Sequence, residues 1–193
     1  MEVHTEMQDE RLEYKGGLLR GYAKWLRENK HFDAVSSAAS PEVRARLADP
    51  PLATEWVSAA MQNGVLAAVH AVGRDELIHS MVRGSIGGGV LRLIEPLIHG
   101  VVRVFGRTPA AVLSRLETIR PNVMRGVRFE YEPLGPNSGI VHCRAVSEPF
   151  GEHAGTAWRA SIESLCELLG FRGATVTVAS SADRREERIT VRW

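Results

Sequence analysis

Seven histidines, two cysteines and one glycine-rich run are the parts of this 193-residue chain whose types could carry chemistry. Glu95 with His99, and Glu76 with His79, stand one helical turn apart, the spacing at which two ligands can share an ion. Two ligands are too few, and a helix-surface Glu beside His and Arg at neighbouring turns reads as a solvated charge ladder. No metal is expected. Cys143 and Cys166 match neither a CxxC nor a mixed Cys/His zinc spacing. A nucleophilic thiol needs an adjacent base and a route to solvent. His142 adjoins Cys143, but neighbours on a strand point to opposite faces. Cys143 is expected to pack with Val141 and Ala145, Cys166 to sit at the margin of a helix stripe, and both to remain free thiols. No catalytic residue is assigned and the chain is not expected to be an enzyme. Gly84-Ser85-Ile86-Gly87-Gly88-Gly89 suggests backbone amides cradling an anion. It follows a helix rather than a strand and holds no Lys, so a flexible or closely packed interhelical turn is the better expectation.

These residues must be positioned by two kinds of element. Leu18, Leu19, Tyr22, Trp25 and Leu26 recur at helical spacing, which predicts an amphipathic helix over 18–30. Ser40-Pro41 caps and starts a short helix that Asp49-Pro50-Pro51 stops. Trp56, Val57, Ala60, Met61, Gly64, Val65 and Ala68 form the apolar face of a helix over 54–72 that Gly73 ends, followed by a shorter one over 74–83. Val90, Ile94, Leu97, Val101 and Phe105 predict a buried helix containing Pro96. Thr108-Pro109 opens another, to about Ile119. After Pro121 the period changes from about 3.6 to 2, the mark of strands. Val127, Phe129 and Tyr131 alternate with charged residues and a turn leads into 140–147, so the two runs predict an antiparallel hairpin. Trp158, Ile162, Leu165 and Leu169 stripe a helix ending at Gly170, and 174–179 with 188–193 close the chain as strands. The fold class is α+β: an amino-terminal helical layer packed on a mostly antiparallel sheet of β-β-α-β-β order. Residues 1–17 are expected to be a polar tail and 18–193 a single domain, helical over 18–120 and sheet-forming over 121–193.

Twenty-four basic residues against 23 acidic ones give a formal charge of +1, so no field advertises nucleic acid or an anionic membrane as partner. All three lysines lie before residue 31, and the arginines are scattered rather than clustered. The acidic first 14 residues do not resemble a secretory signal, and the most apolar run, 90–105, is too short and too charged to span a bilayer. A cytoplasmic protein without membrane insertion is expected.

The chain resembles a conserved myxobacterial family of unknown function, about two hundred residues long. The resemblance rests on Thr54-Glu55-Trp56, the stretch Val82-Arg83-Gly84-Ser85-Ile86-Gly87-Gly88-Gly89, Pro121-Asn122 before the first strand of the hairpin, Phe129 within it, and Gly170-Phe171. These are packing and turn motifs, which imply a fold and no activity. The order of helices, hairpin, helix and hairpin is also similar to the ligand-binding fold shared by haem nitric-oxide sensors, vinyl-reductase-type domains and vesicle-tethering subunits. A haem sensor needs an imidazole aimed into an apolar pocket. At about 100° per residue, His70, His79 and His99 all fall on the outward faces of their helices. His4 and His31 lie near ends, His142 shares a strand face with Arg144, and His153 sits in a Gly/Glu loop. The YxSxR arrangement resembling that family's propionate anchor is absent, so no cofactor is expected.

Two function classes stand ahead of catalysis. The first is a non-catalytic interaction or signalling-scaffold domain, expected to form a homodimer, with Leu18, Tyr22, Trp25 and Leu26 as the candidate surface for a protein partner. The alternative is a sensor binding a small apolar ligand between the helices, those of Trp56 and Val90, and the sheet.

Overall fold

The computed structural model describes residues 11–86 and 90–193, with 90–95 described in backbone alone. In order the elements are β1 (Glu13–Lys15), α1 (Gly16–Glu28), α2 (Phe32–Ala38), α3 (Pro41–Ala48), β2 (Trp56–Ser58), α4 (Ala59–Ile86), α5 (Val90–Phe105), α6 (Pro109–Leu113), α7 (Leu116–Ile119), β3 (Met124–Arg125), β4 (Val127–Gly135), β5 (Ser138–Ala145), α8 (Ala154–Leu168), β6 (Thr175–Ser180) and β7 (Glu186–Arg192). The α+β class and the β-β-α-β-β order of the second half are as the periodicity predicts. Its four strands form one antiparallel sheet, β4-β5-β7-β6.

Local chemistry accounts for many boundaries. The Ser40 hydroxyl accepts the Val43 amide ahead of Pro41, and Thr108 accepts Ala111 ahead of Pro109, each supplying an orphan donor of the first turn with a partner. In β4, Val127, Phe129 and Tyr131 turn inward while Arg128, Glu130 and Glu132 stay exposed. The helical core is built by Leu19, Tyr22, Leu26, Val35, Leu47, Val65, Val69, Ile78 and Met81. Val127, Val141, Cys143, Phe150, Ile162, Cys166, Ile189 and Val191 form the core between sheet and α8. Leu18 packs against both.

The structure departs from the expected elements in several places. Part of the expected tail is structured: Leu12 is buried, and β1 is the centre of a second sheet, β2-β1-β3. Residues 1–10 lie outside the described residues. Trp56 and Val57 do not start a helix. They pair with Lys15 and Tyr14, and Trp56 holds Lys15 Nζ 3.8 Å and the Arg125 guanidinium 4.6 Å from its ring centroid, so cross-strand pairing overrides a helical pattern. The 32–38 segment, without a helical expectation, forms α2 around buried Val35. On α5, Ile98 is buried, whereas Leu97 and Phe105 of the expected stripe are 39% and 52% exposed. Ile98, Val101 and Val102 meet Val112, Ile119 and Leu169, because the helix is turned toward α6 and the end of α8. Val90 and Ile94, with Glu95 of the Glu95–His99 pair, are outside the described side chains.

Gly73 ends a regular helix and a second helical segment follows, both as expected; the φ of 55° and ψ of −157° at Arg74 mark the interruption of α4. Gly84 to Ile86 are the last turn of α4 rather than a loop, and Gly87 to Gly89 lie outside the described residues. Gly84 has a packing role: the indole of Trp25 occupies the space a Cβ would need. No described helix is long and apolar enough to cross a membrane.

Candidate functional site

The two cores do not close completely where they meet. A cavity of about 130 Å³ is walled by Leu18 of α1, Ile86 at the end of α4, Leu116 and Ile119 of α7, Phe129 of β4 and Leu165 of α8, with Arg120, Val123, Met124, Trp158, Ser161 and Ile162 completing the described lining. A second space of about 60 Å³ adjoins it, sharing Leu18, Met124, Trp158 and Ser161 and reaching Tyr14, Tyr22 and Gln62. The wall is rigidified by aromatic contacts: Trp158 meets Phe129 edge-on at 5.6 Å and Phe150 at 6.2 Å.

Ser161, Arg120, Gln62 and Tyr22 of the described lining have hydrogen-bond partners. Ser161 donates to Ala157 O at 2.8 Å within its own helix. Arg120 is buried, and its guanidinium donates to Glu117 Oε1 at 3.1 Å; the other Glu117 oxygen accepts the Phe129 amide at 2.8 Å. The arginine charge is therefore matched by a carboxylate before any ligand arrives. Gln62 Nε2 donates to the Tyr22 hydroxyl at 3.0 Å, and burial raises that phenol to about 12 against the lowering effect of this bond. The Tyr14 phenol is raised further, again by burial first.

Of the candidate partner-binding residues, Tyr22 and Leu26 are buried in the chain's own helical core. Leu18 lines the cavity, and Trp25 is half-buried against Gly84 and stacked on His31 at 5.8 Å. The leading helix thus docks on its own chain. The residues of 116–124 that close the cavity carried no functional signal in the sequence: Leu116 and Ile119 showed only the apolar type of an expected helix, Val123 and Met124 that of the stretch after it.

The histidines depart in part from their expected places. His99 is exposed as the helical wheel predicts. His70 and His79 are only partly so, with side chains 29% and 26% exposed. His79 faces α8, its Nε2 2.6 Å from Glu163 Oε2, in a network with Arg83 and Arg159. His70 is covered by His153, whose ring stacks on it at 4.1 Å. Burial first, then the neighbouring His70, lower the His153 pKa. His142 bridges Glu132 and Glu186 on the sheet face.

Haem does not fit the cavity. Neither space has a histidine among its described lining residues. The coordinating types present are Met124 and the phenols of Tyr14 and Tyr22, which burial keeps protonated. About 130 Å³ is also well below the ~300 Å³ at which clefts for drug-sized ligands begin, and a porphyrin is larger than most such ligands. A catalytic thiol is equally unsupported, because burial pushes Cys166 up to about 11 and Cys143 well above its ordinary value.

No protein-family profile matches the chain, and no curated protein matches its sequence. Solved structures do match its fold. The Fe(II) unliganded H-NOX protein from K. algicida has 13% identity and a TM-score of 0.62 over 92% of this chain and 95% of that one. A Cs H-NOX mutant carrying 4-cyano-L-phenylalanine gives 12% and 0.63 over 92% and 95%. An oxygen-binding H-NOX domain related to soluble guanylate cyclases gives 13% and 0.57 over 92% and 93%. The likeness to haem nitric-oxide sensors read from the order of elements is therefore present in three dimensions, and what this chain shares with H-NOX domains is their fold.

Proposed function

We propose that this protein is a sensor domain for a small, uncharged, apolar molecule, bound without haem in the cavity between α1, α7, β4 and α8. The observation that carries this is the cavity itself, apolar in nearly all its described lining and with Arg120 already paired. Size sets the ligand class: an engineered apolar cavity of about 150 Å³ stays dry and binds benzene or xenon, and this one measures about 130 Å³. The H-NOX fold supports the reading, since proteins of this shape include an oxygen binder. It ranks above a scaffold presented by the leading helix because Tyr22 and Leu26 are committed to their own core.

Thermal melts with benzene test it. A ligand that binds only the folded state raises stability as RT ln(1 + [L]/Kd), so Tm should climb with benzene concentration. Ser161→Leu, which projects methyl groups into both spaces, should abolish the rise, with Leu165→Phe as a second filled variant. A benzene response that survives in both folded variants, or none in the parent, rejects the reading.

A further inference from the structure

A second group of side chains, none of which lines the apolar cavity, is assembled where α4 meets the loop before α8. His70 stands near the end of the helix's first segment, Asp75 opens the second, and His153 immediately precedes α8. The His70 and His153 rings stack with centroids 4.1 Å apart and planes inclined by 20°. His70 Nε2 lies 3.9 Å from Asp75 Oδ1. One ligand atom from each of the three lies within 4.8 Å of the other two.

Two backbone features bring them together. Residues five apart on an unbroken helix are about 140° apart around the axis and cannot converge. The left-handed Arg74, φ 55°, breaks α4 directly before Asp75 and returns its carboxylate to His70. Gly151, whose missing Cβ leaves room for the Asn63 side chain, lets the loop before α8 run against the face of α4 that carries Asn63 and, two turns on, His70. His153 is thereby laid over His70, 83 positions away in the chain.

We propose that His70, Asp75 and His153 bind one divalent first-row metal ion, with zinc the expected occupant and water completing its coordination. Two imidazole nitrogens and one carboxylate oxygen are a donor set that suits zinc, and three protein ligands leave a position open. With ligand bonds of about 2.0–2.1 Å, tetrahedral donors sit ~3.4 Å apart, so the group must contract by side-chain rotation. The freedom exists: Asp75 is 61% exposed and the two rings are only partly buried. Near His153 the carboxylates of Glu152 and Asp75 stand against the guanidinium of Arg184.

The test is zinc titration of the untagged, metal-free full chain against a chromophoric chelator, with cobalt(II) as an optical reporter of coordination. The expected result is one zinc per chain, intense visible cobalt bands, and a loss of affinity of about tenfold or more in each of His70→Ala, His153→Ala and Asp75→Asn. Asp75→Asn alters an exposed side chain without changing its shape, so it remains informative where a histidine variant does not fold. His79→Gln and His142→Gln, at histidines elsewhere, should bind as the parent does. Absence of stoichiometric zinc, or full affinity in any folded variant of the three, overturns the proposal. The benzene response of the cavity is a separate readout and does not depend on this outcome.

Discussion

Trp158 of α8 and Phe129 of β4 meet edge to face, ring centroids 5.6 Å apart and planes at 84°, and both line the cavity. The contact joins the helix covering the sheet to the sheet's first strand, so the wall of the candidate ligand site is also a packing contact between the two layers. A ligand seated there touches both. The same pair makes the cavity sensitive to truncation.

Trp158→Ala should destabilise the fold by about 2–3 kcal/mol, below the about 3–5 kcal/mol of a fully buried aromatic truncation, because the indole is only half-buried and borders existing empty space. It should also enlarge the site, so that a bulkier apolar probe such as naphthalene gains a Tm response that the parent lacks. Denaturant melts and thermal shifts read the two effects independently.

The packing of Trp25 on Gly84 gives a prediction of sign. In an exposed helix, Gly→Ala gains about 1 kcal/mol of propensity. At Gly84 the new Cβ would occupy the position of the Trp25 ring, so overpacking of about 1–3 kcal/mol wins and Gly84→Ala destabilises. In a Trp25→Ala background the obstacle is gone, and the same substitution should become stabilising. A double-mutant cycle in urea checks the reversal.

Glu163 should contribute to acid sensitivity. Burial raises its pKa, but hydrogen bonds from Arg159 at 2.9 Å and from His79 at 2.6 Å outweigh this and lower it. A carboxylate lowered in the folded state contributes stability that is present above its unfolded value, about 4.3, and is lost as pH falls through its folded one. Glu163→Gln should therefore cost about 1–2 kcal/mol at neutral pH, allowing for the solvent screening of Arg159. It should flatten the loss of stability below pH ~4.3. Urea melts across pH measure both.

Both thiols should be silent in the native protein. Cys143 and Cys166 are buried, and burial raises each, Cys166 to about 11, so neither thiolate nor access is available near pH 8. Ellman's reagent should find no reactive thiol under native conditions and both thiols in guanidinium. Prompt reaction of either in the folded state would contradict the packing of the sheet core.

By itself the sequence determined what local rules control: the helix starts at Ser40-Pro41 and Thr108-Pro109, the alternation of Val127, Phe129 and Tyr131, and the β-β-α-β-β order of the second half. Each follows from capping, fixed φ or side-chain period, which act within a few residues. Tertiary structure decided the rest. Trp56 became a strand residue because β1 offered a pairing edge, and α5 buried Ile98 rather than Leu97 because the facing surface, not the helix's own pattern, selects the side that packs. The cavity belongs to no segment: it is the volume left where Leu18, Phe129 and Trp158 meet, and a void is set by the mismatch of surfaces from distant parts of the chain. The stack of His70 on His153 is of the same kind, for a helical wheel places each ring relative to its own axis and says nothing of which loop will lie across it.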